Sequence, residues 1–256
     1  MVQANPSPHR SQMTTLFLMG ARFTTSHSGQ QRLTQIDLRT AMCRSALFFG
    51  LILLNWWLLL PFLGGWPNSL NGLMSDATAT GSPDAQAIRV VEFLACGLLL
   101  AALFLRGPID QNGKVRRDWW CTVALVMFEA FDALFVEACR SGTDHQCFKD
   151  EMSFSLPPHH YLHVAGGVLE WSFALAAVIL GLRRLRSIHS PLQHPYRSLL
   201  IFAIAVIAPL AAAFITHRLF VVVESTVYVA FSLLIYLQVA EPSLPTKERE
   251  IFNTLF

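Results

Sequence analysis

Six runs of roughly twenty apolar residues dominate the chain. They are Ser45–Leu63, Ala87–Leu105, Trp119–Ala138, Tyr161–Leu182, Ser198–Thr216 and Leu219–Ala240. A helix rises about 1.5 Å per residue, so about 20 such residues cross the hydrocarbon core of a bilayer. Loop signals bound the runs: Gly64-Gly65-Trp66-Pro67 follows the first, Arg106-Gly107-Pro108 follows the second, and Pro157-Pro158 precedes the fourth. Only His217 and Arg218 separate the last two, which predicts a tight antiparallel hairpin. The period-two alternation of a membrane β-barrel is missing. The pattern predicts an all-α, polytopic bundle of six transmembrane helices.

Composition supports this. Apolar types make up 53% of the residues and charged types 14%, with a mean hydropathy of +0.44. A soluble domain carries about 25% charged residues, because something polar must face water. A soluble enzyme is therefore excluded. The net charge of +2, with arginines in short clusters, speaks against a nucleic-acid partner; membrane lipids are the expected surroundings.

Basic residues set the orientation. Arg10, Arg22, Arg32, Arg39 and Arg44 precede the first run, and Arg106, Lys114, Arg116 and Arg117 follow the second. Arg183, Arg184, Arg186 and Arg197 follow the fourth, and Lys247 and Arg249 follow the sixth, which puts fifteen of nineteen basic residues on one side. Both termini are expected in the cytoplasm. Residues 1–44 read as a basic, disordered tail, 45–240 as the transmembrane domain and 241–256 as a short C-terminal tail. The loop arginines suit topology and anionic-lipid contacts. Trp56, Trp57, Trp119 and Trp120 suit packing and the interfacial belt.

Cys139 and Cys147 fall in one predicted external loop, where a disulfide persists. A bridge would add roughly 2–3 kcal/mol and fix how residues 140–146 cover the ends of the third and fourth spans. Two free thiols are the alternative.

Ionisable residues within spans are expensive and mark sites. All of them lie in the outer halves. Counted inward at about 1.5 Å per residue, Glu92, Asp132 and Glu224 lie roughly 8–9 Å deep, and Glu129 and Glu170 roughly 14 Å. The cytoplasmic halves of spans two to six carry none, which describes an outer polar bowl on an apolar floor. His159, His163, Gly166, Gly167 and Glu170 share one helical stripe, and the glycines let a neighbouring helix approach. Glu129 and Asp132 share a face of the third span, and Arg89 and Glu92 are an i,i+3 pair.

Some of these residues resemble a known family. Phe131-Asp132-Ala133-Leu134-Phe135, then Cys139, Cys147, Glu151 and His160-Tyr161-Leu162-His163, look like the signature of the domain-of-unknown-function 998 family. These are Frag1-related six-span membrane proteins, mainly bacterial. Ser75-Asp76, Pro83 and Arg89-Val90-Val91-Glu92 are similar to its second block, and His217-Arg218 with Glu224 to its closing hairpin. Glu92 stands where an aspartate is usual, and Gly167 where a serine often follows the histidine. The resemblance implies a multi-pass protein of the cell (inner) membrane with an outward polar cluster, and no established activity.

The leading functional expectation is an outward-facing intramembrane site that binds, and in a stronger form processes, a lipid or other amphiphile. Asp132, His163 and Glu170 are the catalytic candidates. Glu92, Glu129 and Glu224 are binding groups, with Arg89 and Arg218 as counter-charges or headgroup ligands. No motif demands a cofactor; zinc on His159, His163 and Asp132 is the metal reading. The alternatives are a non-catalytic scaffold or accessory subunit held by structural ion pairs, and a small-solute transporter.

Overall fold

The structure, a computed structural model, describes residues 27–59, 75–110, 113–187, 190, 192–216 and 220–240. The chain divides into two units, Met1–Leu38 and Arg39–Phe256. Of the first, only the stretch from His27 is described, and it is helical. The second unit carries the rest of the fold.

Among the described residues the chain is all-helical. Seven α-helices follow one another: α1 (His27–Leu54), α2 (Ala85–Arg106), α3 (Arg117–Leu134), α4 (His145–Met152), α5 (Pro158–Ser187), α6 (Gln193–Thr216) and α7 (Phe220–Ala240). Short 3₁₀ turns lie at Trp56–Leu59 and Ser75–Ala77. Four helices, α2, α5, α6 and α7, are long and apolar enough to cross a membrane. Helix α3 fails that measure because Arg117, Asp118, Glu129 and Asp132 all fall within it. It also ends at Leu134 rather than Ala138, since Phe135 turns to extended backbone.

Helices α3 and α5 form the most extensive pair, and α2, α6 and α7 pack around them. The core between them includes Leu99, Leu103, Trp119, Ala177, Leu185, Tyr196, Leu234 and Ile235, all fully buried. Gly181 lets the Tyr196 ring lie against α5, where any Cβ would collide with it. Large apolar side chains on other faces are exposed, among them Phe48, Phe49, Ile201, Ile204 and Ile207. A surface like that aggregates in water and suits lipid. Pro209 lies inside α6. At the end of α1, Asn55 donates to Ser232 of α7 at 2.8 Å.

The end of the bundle opposite the Cys139–Cys147 pair is closed by a charged clasp. Arg184 donates to both oxygens of Asp118 at 3.1 and 2.9 Å. Arg116 donates to Asp118 at 3.4 Å, to the Gln238 carbonyl at 3.2 Å and to the Gln238 side-chain oxygen. Arg106 donates to the Val239 carbonyl at 2.9 Å. Arg116 and Asp118 are each 1% exposed. Arg184 was expected to serve topology and lipid contact; instead, it and its neighbours tie α3, α5 and α7 together by satisfying the last carbonyls of α7.

Asp118 precedes the apolar run that starts at Trp119. Burial opposes its ionisation, but the Arg184 hydrogen bond and the Arg116 and Arg184 charges outweigh burial and hold the carboxyl below its usual value. A carboxyl depressed in this way stabilises the fold above its unfolded value, and that contribution is lost as pH falls through the folded one. Replacing it leaves a buried arginine without its counter-charge, which costs about 3–5 kcal/mol. Asp118→Ala should therefore melt well below the wild type in detergent, and an unchanged melting temperature would show that the clasp contributes nothing.

Candidate functional site

The site begins with the close approach of α3 and α5. A Cβ on Gly166 would stand 3.1 Å from Asp132 Oδ1 and 3.2 Å from the Phe131 ring, so a larger residue would require those side chains to give by a few tenths of an ångström. Gly167 behaves differently: a Cβ there meets nothing within 4 Å. The expectation that both glycines serve helix contact holds for Gly166 alone.

One turn before Gly166, His163 is buried at 7% exposure. Its Nδ1 lies 3.1 Å from Asp132 Oδ1 and 3.1 Å from the Asp132 carbonyl oxygen. Its Nε2 lies 3.2 Å from Glu137 Oε1. Both ring nitrogens can donate at once only in the imidazolium form, the form that two neighbouring carboxyl groups favour. Glu137 follows the end of α3 and was not among the candidates. No spacing rule marks it, because it reaches His163 through the extended backbone after Leu134.

A roof covers this trio. Ser75 Oγ donates to Glu137 Oε1 at 3.0 Å, and the Thr80 amide and hydroxyl both donate to the Glu137 carbonyl at 2.9 Å. The sulfurs of Cys139 and Cys147 lie at disulfide distance, with Cα atoms 6.0 Å apart. Within that loop the Gly142 amide donates to Asp76 Oδ1 at 3.2 Å, and Arg140 to Ser82 Oγ at 3.1 Å. The loop is thus fastened to residues 75–82. Asp144 caps α4 by accepting from the amides of Gln146 and Cys147. His160 is buried, accepting from the Ala138 amide at 3.3 Å, with its Nε2 3.6 Å from Glu151.

Beneath the roof lies a cavity of about 520 Å³. Glu92, Glu129, Asp132, Glu137, Glu151, Glu170 and Glu224 line it, together with His163. Trp56, Trp171 and Tyr228 form aromatic wall. Trp56 Nε1 donates to Glu92 Oε1 at 3.1 Å, so Trp56 belongs to the site and not to an interfacial belt. The Tyr228 hydroxyl lies 3.3 Å from each oxygen of Glu129. Glu170, 3% exposed, faces Glu129, and no hydrogen-bond donor among the described residues reaches its Oε1. Val164, Val168 and Ser172 of α5 line the cavity and are exposed, so it reaches the surface along that helix, beside Leu210 of α6.

The sequence-derived residues therefore divide. Glu92, Glu129, Asp132, His163, Glu170 and Glu224 converge on one cavity. Arg89 does not line it; its Nε donates to the Ala85 carbonyl of its own helix at 3.2 Å, and no ion pair with Glu92 occurs among the described residues. His159 is exposed while His163 is buried, and the described residues assemble no group of three or more metal-binding side chains. Arg218 lies outside the described residues.

The chain matches no family model, no curated protein and no solved structure. The chemistry of the cavity follows from its own groups.

Two kinds of carboxyl line the cavity, and they should respond oppositely to neutralisation. His163→Leu strips the partner from buried Glu137 and half-buried Asp132 and should cost about 3–5 kcal/mol. Glu170→Gln changes a carboxyl whose Oε1 meets no donor among the described residues, and should leave the melting temperature unchanged or raised. Equal losses in both variants would overturn the distinction.

Proposed function

We propose that this is a six-span protein of the cell (inner) membrane whose outward-facing cavity binds a lipid or other amphiphile. Helices α1, α2, α3, α5, α6 and α7 are the spans, and both termini are cytoplasmic. The four long apolar helices support the membrane setting. The fifteen basic residues on one side of the spans support the orientation. Membership of the domain-of-unknown-function 998 family is part of the same proposal, and the residues of its signature fall at the trio and the roof.

One observation carries the binding function. A cavity of about 520 Å³, mostly apolar in its wall with carboxyl groups set into it, opens on an exposed apolar face of α5 at Val164 and Val168. That volume suits a small organic ligand. A headgroup fits among the carboxylates, and an acyl or alkyl chain leaves past Val164, Val168 and Leu210 without crossing water.

Binding is favoured over hydrolysis by the occupancy of His163. A histidine base needs one nitrogen on an orienting partner and the other free for the reacting proton. Here the Asp132 carbonyl oxygen meets one and the Glu137 carboxyl the other. The Ser75 hydroxyl donates to Glu137, a carboxylate already bound to His163, and so has no base of its own. A scaffold role fits the clasp around Asp118 but leaves the cavity unexplained. Transport has no support beneath Glu129 and Glu170, where Cys96, Leu99 and Val126 pack closely.

Gly167 offers a clean test, because it lines the cavity and a Cβ there meets open space. Gly167→Leu should fill the cavity while leaving the helix contacts intact. Native mass spectrometry of the purified protein should show co-purifying lipid in the wild type and a loss of it in the variant, at unchanged melting temperature. Undiminished lipid in Gly167→Leu would defeat the proposal.

A further inference from the structure

Within that cavity the polar groups are nearly all of one sign. Seven acidic side chains line it, and among the described residues no lysine or arginine does; His163 is the one basic group, already held between Asp132 and Glu137. Deeper in, two carboxyl groups from different helices, Glu129 of α3 and Glu170 of α5, face each other. Tyr228 supplies a hydroxyl to Glu129, whereas Glu170 Oε1 is buried, lines the cavity and meets no donor. Glu137 Oε2 in the roof is likewise buried without a donor. A buried carboxyl oxygen left in this condition is costly, and the cost falls when a donor with positive charge is brought to it.

The remaining walls say which kind of cation. Metal ions bind in tight shells of oxygen or nitrogen, and a cavity of about 520 Å³ is far larger than such a shell. Trp56, Trp171 and Tyr228 present aromatic surface beside the carboxylates. Aromatic faces and carboxylates together suit an organic ammonium, which gains from both. The exposed apolar rim at Val164 and Val168 suits a hydrocarbon chain on that ammonium. A phosphate next to the amine would be repelled by the carboxylates around it.

We infer that the occupant of the cavity is a cationic amphiphile, a single-chain amine without phosphate, whose ammonium sits between Glu129, Glu170 and the aromatic wall. This rests on the amphiphile-binding function proposed above and specifies its headgroup.

The test uses full-length protein in nanodiscs of uncharged lipid, titrated below micellar concentration with dodecylamine, dodecanol and dodecanoate. Tryptophan fluorescence is the readout, since Trp56 and Trp171 line the cavity. Dodecylamine should bind about tenfold or more tightly than dodecanol, a difference of about 1.4 kcal/mol or more, and dodecanoate least. Glu170→Gln, which keeps the side chain's shape, should remove the amine's advantage and leave dodecanol binding unchanged. Gly167→Leu should abolish both.

If amine and alcohol bind alike in the wild type and Glu170→Gln changes neither, the headgroup inference is overturned while amphiphile binding survives. If no chain binds and Gly167→Leu changes nothing, amphiphile binding itself fails, and this inference with it. A phosphate-bearing lipid held in preference to dodecylamine would also overturn it. Mass spectrometry of co-purified lipid then separates the two sources of the same chemistry: a long-chain amine drawn from the membrane, or a free amine taken up from the medium.

Discussion

The brace of His163 between Asp132 and Glu137 is the contact on which the disulfide end of the molecule depends. Charges in apolar surroundings must be paired, and here one imidazole serves two carboxylates on successive parts of the chain. Asp132 is the last charged residue of α3, and Glu137 lies beyond the helix end. Fixing both to α5 fixes where α3 stops and where the extended segment leaves it. Glu137 in turn holds Ser75 and Thr80, so the roof is positioned through the same carboxylate. Gly166 eases the arrangement, because a Cβ there would crowd the Asp132 and Phe131 side chains.

The two ends of the bundle use charge in different ways. Around Asp118 donors meet acceptors: two arginines and a glutamine donate to one carboxylate, and Arg106 and Arg116 donate to the last carbonyls of α7. That is a fastening. Around Glu170 the groups are mostly acidic and line a cavity, and Oε1 of Glu170 meets no donor among the described residues. Stability alone would have favoured apolar residues there, since a buried carboxyl oxygen without a donor is costly. Retaining such groups in a cavity that opens on an apolar face is the mark of a surface shaped for something else to complete.

Much of this was legible in the residues themselves. The apolar runs located the long helices, and the depth of Glu92, Glu129, Asp132, His163, Glu170 and Glu224 indicated that they would meet. The Cys139–Cys147 pairing followed from their place in one short loop. What escaped was tertiary. Glu137 reaches His163 only because α3 ends early, and a helical projection carried to Ala138 points it elsewhere. Trp56 looked like an interfacial aromatic because nothing local says that its ring nitrogen meets Glu92, thirty-six residues on. Arg184 looked like a solvated topology signal, since its partner Asp118 lies sixty-six residues earlier. Arg89 failed in the opposite direction, where correct helical spacing from Glu92 did not become a contact.

The clasp also bears on the order in which the chain is made. Arg106, Arg116, Asp118 and Arg184 all leave the ribosome before Gln238 and Val239, which supply the final acceptors. Until the last turn of α7 docks, two arginines near the ends of α2 and α3 lack the backbone oxygens that they hold in the finished fold. A nascent chain halted short of α7 therefore carries unsatisfied charge at that end of the bundle. Completion of the last helix supplies those oxygens, so a finished molecule and an arrested one differ in how that end of the bundle is fastened.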